Sequence, residues 1–397
     1  MIPVILTRTF FMRAVTPRCL GGNPQVIPFA KPYFKDEWKR QILLRIEETL
    51  TSGQLTHGQH VQSVEEYFGK LLSPMHVSTT NSCTASLHLA MILAGIGKGD
   101  EVIVPSNTFA ATANAVVYCG ATPVFAEIDP HTLNIDPAAI SEVVTKKTKA
   151  VTIVHLGGLP CDMRRIMPII KKNKLVLVED CAHAHGALYQ GRQCGTFGEF
   201  SCFSFYPTKV IAGPEGGLLA TSDLKADTKA HILINQGRGG FGPAEISEIG
   251  YNYRMNELQA IVVEAQMEHL QEIIRMRTEL VARYRRNLTG HRSVTVPTVL
   301  ANTQPSYYSF TVVLNQGNRD EIRSHLLNDQ IETSIMYHPV HLQPIYRKMY
   351  GYKPGSLPTT EDICSRILSL PLHLSMSMDD VDAVCARLVS LLESTNT

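Results

Sequence analysis

From His76 onward the chain alternates short β-branched runs with longer helical stretches, and this alternation limits the possible folds more than any other feature. Candidate strands lie at residues 102–105, 123–128, 150–155, 175–179, 200–205 and 217–221. Between them, residues 84–93, 110–118, 138–144 and 163–171 carry helix-like spacing. Strands separated by crossover helices predict an α/β architecture, a mainly parallel sheet covered on both faces. In such a sheet ligands sit outside the carboxyl ends of the strands. Chemistry is therefore expected just after each run.

The remainder reads as a connector and a second unit. A helical pattern runs from Asn256 to Asn287 with no Gly or Pro inside it. Beyond it the pattern is α+β, with strands at 307–314 and near 332–336, a helix at 319–328 and a final helix. That helix has a cap, Ser377-x-x-Asp380, ahead of Val381, Val384, Leu388 and Leu391. A chain of 397 residues is long enough for two or three domains with a core that needs no disulfide staples. Its 37 Lys+Arg against 36 Asp+Glu argue against a protein held to nucleic acid by neutralising phosphates. The nine Cys contain no C-x-x-C pair, which fits reduced thiols in the cytoplasm. No apolar run approaches the roughly 18 residues that cross a bilayer, so no membrane partner is expected. Residues 1–26 lack acidic side chains until the patterned region begins, and they read as a poorly ordered extension.

Four pieces of sequence carry candidate chemistry. Thr79-Thr80-Asn81-Ser82-Cys83-Thr84-Ala85-Ser86 is a small polar turn opening a helix, where free amides and hydroxyls suit an anion or simply cap the helix. In Val178-Glu179-Asp180-Cys181-Ala182-His183-Ala184-His185-Gly186 an Asp follows a buried run, which is costly unless a cation or donor meets it. His183 and His185 have no third ligand at zinc-like spacing, so no metal is expected. In the stretch from Phe203 to Gly217 a single Lys209 leaves a strand into a Gly-rich loop, where a desolvated amine can form a Schiff base with a carbonyl. The fourth piece, Gly250-Tyr251-Asn252-Tyr253-Arg254-Met255-Asn256, precedes the long helical pattern, with Asn256 placed to cap it.

Together and in this order, the four pieces resemble the DegT/DnrJ/EryC1/StrS family of pyridoxal-phosphate-dependent nucleotide-sugar aminotransferases. Gly53-Gln54-Leu55-Thr56-His57-Gly58, Pro105-Ser106-Asn107-Thr108-Phe109 and Pro339-Val340-His341-Leu342-Gln343-Pro344 share in the likeness, which spans about residues 27 to 390. The resemblance implies the type I fold of such transferases. A large cofactor-binding α/β domain, residues 27–287, would hold a mainly parallel seven-stranded sheet flanked by helices. A smaller α+β domain would follow at 288–397.

By the same resemblance, Lys209 holds pyridoxal 5'-phosphate through its amine and Asp180 pairs with the pyridine nitrogen. Phe109 stacks on the cofactor ring and His183 lies near the ring hydroxyl. Cys83, Thr84 and Ser204 match the phosphate cup, with Cys83 standing where relatives commonly carry Gly or Ala. Asn252 matches a residue that reaches the phosphate from a neighbouring subunit, which implies a homodimer with shared active sites. Lys209, Asp180 and His183 would be catalytic. The implied reaction takes an amino group from glutamate, carries it as pyridoxamine phosphate and delivers it to a nucleotide-linked ketosugar. Lys209 followed six residues later by Glu215-Gly216-Gly217 resembles relatives acting at C4, implying a 4-keto-6-deoxy sugar turned into a 4-amino sugar for lipopolysaccharide, capsule or glycoprotein glycans. The alternatives are amination at C3 of a 3-keto sugar, or a non-catalytic regulatory protein of the same fold. The dehydratase branch replaces the Schiff-base lysine by His, and Lys209 speaks against it.

Overall fold

The computed structural model describes residues 26–239 and 245–394. The expected N-terminal extension, apart from its last residue, lies outside the described residues. Two helices come first, α1 (Asp36–Ser52) and α2 (Gln59–Leu71). The alternating region then supplies β1 (His76–Thr80), α3 (Cys83–Leu93), β2 (Glu101–Pro105), α4 (Ala110–Tyr118), β3 (Thr122–Ala126), α5 (Pro137–Val143), β4 (Thr148–Val154), α6 (Met163–Asn173) and β5 (Val176–Asp180). A two-residue hairpin, β6 (Leu188–Tyr189) and β7 (Arg192–Gln193), precedes β8 (Phe200–Ser204), β9 (Gly217–Thr221) and α7 (Leu224–Ile234).

Seven of these strands form one sheet in the order β1-β9-β8-β5-β4-β2-β3. The pairings from β8 through β3 are parallel, and β9 runs antiparallel to both its neighbours. The two faces have separate cores. Val102, Val104, Val178 and Cys202 pack with Leu87, Ala113 and Val116 of α3 and α4. The alternate residues Ile103, Val151, Ile153 and Leu177 pack with Ile140, Ile166 and Ile170 of α5 and α6. Apolar side chains on both faces explain why these strands read as continuous β-branched runs.

The expected long helix is instead two, α8 (Glu257–Met267) and α9 (Leu270–Leu288). The break at Glu268 and His269 has no Gly or Pro to announce it. The His269 ring stacks on the buried Trp38 of α1 at 4.3 Å, and α9 departs to pack its Leu280, Val281, Tyr284 and Leu288 into the C-terminal core. Asn256 caps α8 as expected, in a reciprocal pair with Gln259.

The C-terminal region contains β10 (Val294–Thr295), β11 (Thr303–Gln304), β12 (Phe310–Leu314), α10 (Arg319–Asn328), α11 (Pro344–Tyr350), α12 (Pro358–Arg366), β13 (Ile367–Leu370) and α13 (Met378–Ser394). Strands β10, β12 and β13 form an antiparallel sheet, while β11 joins the β6–β7 hairpin. The strand expected near 332–336 is reduced to single bridges, Ile331 to Ile27 and Ser334 to Ser369. Residues 307–309 likewise stay outside β12, because they turn in to meet the carboxyl end of the large sheet. The Ser377–Asp380 cap forms in both directions: Asp380 N donates to Ser377 Oγ at 3.1 Å and Ser377 N donates to Asp380 Oδ2 at 2.8 Å.

Candidate active site

The carboxyl ends of β1, β2, β5 and β8 converge, and the expected residues gather there. Asp180 ends β5, where its side chain takes the face shared with α3 and α4. Thr112 Oγ1 donates to Asp180 Oδ2 at 2.8 Å, Ala182 N donates to Oδ1 at 3.1 Å, and a 2.8 Å bond links Thr112 to Thr108. Burial pushes the Asp180 carboxyl up, opposed by those donors and by the charge of Lys209. A buried carboxyl with two donors and, among the described residues, no contacting cation is still short of charge compensation. It fits the protonated ring nitrogen of pyridoxal phosphate.

Lys209 lies in the turn after β8. Its Nζ stands 4.3 Å from the centroid of the Tyr308 ring, and its charge is felt at Asp180, His183 and Cys83. Tyr308 is itself held at three points. Its hydroxyl bonds Thr208 Oγ1 at 3.0 Å, its ring stacks on His183 at 4.1 Å, and Arg277 NH1 donates to the Tyr308 carbonyl at 3.3 Å. The close approach of this segment requires Gly158, at φ 82°, where a Cβ would lie 2.6 Å from Ser306 Oγ and 2.8 Å from Tyr307 N.

His183 is fully enclosed. Gly157 N donates to its Nδ1 at 3.2 Å, and its Nε2 lies 3.3 Å from the Tyr337 hydroxyl. Burial, reinforced by the charge of Lys209, holds the imidazole well below its ordinary value, so the ring is neutral.

Cys83 and Thr84 open α3, where an α-helix leaves its first amides without intrahelical partners. Ser82 caps the helix through Ala85 N. The turn rests on Gly217, where a Cβ would fall 2.5 Å from Cys83 N. Ser204 pairs with Gly217 across the β8–β9 ladder, which brings it to the same helix start. Burial pushes the Cys83 thiol well up, leaving a neutral side chain beside amides that suit an anion.

Phe109 precedes α4 and is 62% exposed, its ring 5.9 Å from that of Tyr337. Asn252 is exposed at the outer rim of the α3 turn, where Asn81 Nδ2 donates to its carbonyl at 3.1 Å. The structure therefore brings Asp180, Lys209, His183, Cys83, Thr84, Ser204 and Phe109 into one region and leaves Asn252 at its edge.

Several participants were missed in the sequence. Thr112 and Tyr308 carried no signal of their own, and Tyr337 lies just ahead of the Pro339–Pro344 motif. Asn107, inside the quoted 105–109 motif, accepts from Tyr337 N at 2.8 Å. Another cluster, His155, Glu179 and Cys181, has ligand-type atoms within 4.8 Å of one another. Glu179 already accepts from His155 Nε2 and from the backbone N–H groups of Gly195, Phe197 and Gly198, which fills a carboxylate's acceptor positions. This cluster is a staple for the 194–198 loop.

Comparison with known proteins finds likenesses over most of the chain. Residues 36–389 match the model of the DegT/DnrJ/EryC1/StrS aminotransferase family. The spore coat polysaccharide biosynthesis protein SpsC of Bacillus subtilis is 37% identical over 368 residues, covering 89% of this chain and 95% of that protein. A GDP-perosamine synthase of Caulobacter vibrioides is 36% identical over 340 residues, 84% of this chain and 91% of that one. The crystal structure of S. venezuelae DesV in complex with ketimine intermediate superposes with a TM-score of 0.86 at 33% identity, covering 92% of this chain and 99% of DesV.

Proposed function

Since the chain belongs to the DegT/DnrJ/EryC1/StrS aminotransferase family, we propose that it moves an amino group from glutamate to a nucleotide-linked 4-keto-6-deoxy sugar. The product is a 4-amino-4,6-dideoxy sugar nucleotide for lipopolysaccharide, capsule or glycoprotein glycans. The protein is a pyridoxal-phosphate-dependent aminotransferase. When bound, the cofactor supplies an aldehyde that takes up the amine and a ring that accepts the electrons released at Cα.

The protein's residues divide the remaining work. Lys209 Nζ would hold the cofactor's aldehyde until the amino donor takes its place, and would then act as general base at Cα and general acid at the cofactor carbon, the same proton transfer running in reverse with the ketosugar. Asp180 holds positive charge at the ring nitrogen, each pKa unit of preference being worth about 1.4 kcal/mol. His183 would lie near the ring hydroxyl and Phe109 would cover one face. The start of α3, with Cys83, Thr84 and Ser204, binds the phosphate. The observation that carries the reading is the under-compensated Asp180 carboxyl in the same buried region as the Lys209 amine.

Asn252 completes the phosphate site of a second copy in a cytoplasmic homodimer. Supporting this, Leu43, Leu44 and Leu50 of α1 and Leu55 are exposed, and Thr56 bridges Asn256, which ties the Leu55 segment to the Asn252 loop. Amination at C4 is supported by the Lys209 to Gly217 pattern and by kinship with a GDP-perosamine synthase.

The test is an absorption spectrum of the loaded protein. A band in the visible or near ultraviolet should be bleached by glutamate and absent in Lys209→Ala. Product analysis by NMR with GDP- or TDP-linked ketosugars then reads the aminated carbon. A protein that stays colourless with added cofactor overturns the reading.

A further inference from the structure

One donor in the site is not spent on the protein. The neutral His183 accepts a backbone N–H at Nδ1, so its single proton is on Nε2. That proton points at the Tyr337 oxygen, 3.3 Å away. Tyr337 therefore accepts from His183, and among the described residues its own O–H has no acceptor. Burial, with Tyr308 and Asp180 nearby, holds this phenol well above its ordinary value, so the proton stays available as a donor.

The position of Tyr337 is fixed by groups unrelated to that proton. Asn107 Oδ1 accepts from Tyr337 N at 2.8 Å. Four residues on, Ser106 Oγ and His341 Nδ1 lie 2.6 Å apart, and His341 Nε2 meets Glu361 at 3.1 Å. Consecutive residues at the end of β2 thus clamp the backbone of segment 337–341 in place. The Tyr337 ring meets Phe109 at 5.9 Å and His183 at 6.3 Å between centroids, between the residue assigned to the cofactor's face and the one assigned to its ring hydroxyl. Phe109 is open to solvent, so this side is where a second reactant enters.

We propose that Tyr337 is a substrate-recognition residue that donates its phenolic hydrogen bond to the keto oxygen of the amino acceptor. The inference rests on the aminotransferase reading and deepens it. An acceptor lacking an oxygen there would cover the O–H and leave it unpaired, which is how a site rejects a deoxygenated analogue.

Tyr337→Phe keeps the ring against Phe109 and removes only the donor. Loaded wild type and variant are mixed with glutamate alone, and bleaching is followed in a single turnover. The aminated enzymes are then mixed with a GDP-linked and a TDP-linked 4-keto-6-deoxyhexose, and return of the band is followed. Bleaching should match within about threefold, whereas return should slow by about ten- to a hundredfold, the worth of one hydrogen bond in a buried site. Calorimetric binding of the same sugar nucleotides to cofactor-free protein should weaken by a similar factor. Equal slowing of both halves would assign the donor to the cofactor and overturn the proposal, as would an unchanged return. Failure of wild type to bleach would instead reject the aminotransferase reading itself.

Discussion

Glu179 and Asp180 are adjacent, acidic and buried at 0% and 5% exposure, yet they face opposite sides of the sheet and have opposite surroundings. Alternation along β5 sends Glu179 toward the α5–α6 side and Asp180 toward α3 and α4. Glu179 meets His155 and three backbone amides of one loop. Asp180 meets one hydroxyl and one amide, and is left with unfilled capacity and a raised carboxyl. A buried charge whose partners are complete is holding structure. One whose partners are incomplete is kept at a cost that function must offset.

Isosteric amides separate the two most sharply. Asp180→Asn should lower transamination by about a thousandfold or more, roughly 4 kcal/mol of transition-state stabilisation, while leaving the melting temperature of the cofactor-free protein nearly unchanged. Glu179→Gln should do the reverse. Its NH2 would face groups that can only donate, at a cost of about 3–4 kcal/mol, read as a large drop in melting temperature. Similar thermal effects from both variants would break the distinction. A subtler probe is Thr112→Val, which removes a donor to Asp180 without touching the cofactor. A hydrogen bond to a charged acceptor is worth about 2 kcal/mol, so cofactor affinity in fluorescence titration should fall roughly thirtyfold and recover in Thr112→Ser.

The sequence disclosed this contrast only in part. Asp180, Lys209 and the start of α3 were legible because each lies within a few residues of a strand end, and strand ends can be read from β-branched runs. The role of Glu179 was hidden, since its partners in the 194–198 loop are brought in by the turn after β7. Tyr308 and Tyr337 arrive from beyond α9, and only packing against Gly157, Gly158 and Asn107 carries them to the site. The break between α8 and α9 was invisible for a similar reason. It is made by Trp38, more than two hundred residues away in the chain, and nothing in the local pattern opposes a continuous helix.

His185 is the residue most able to break the rule drawn from Glu179 and Asp180. It is wholly buried between Phe203 and Phe205, its ring nitrogens meet nothing among the described residues beyond a weak contact with the Ser204 backbone, and it is assigned no part in the chemistry. Burial, then the charge of Lys209, drives its pKa from 6.5 to about 3. The folded protein therefore binds fewer protons here than the unfolded chain. Stability from this residue is complete above pH 6.5 and is lost as the pH falls toward 3. Between pH 7 and 5.5 the loss amounts to about 1.3 kcal/mol. His185→Leu, which keeps an apolar side chain between the two rings, should flatten the fall in melting temperature over that interval by the same amount. Parallel falls in the two proteins would mean that the imidazole finds a partner in solution. A flattened profile with cofactor affinity preserved would show that a poorly partnered buried group need not belong to the reaction, so that incompleteness marks a functional residue only where, as at Asp180, the missing partner has a place to bind.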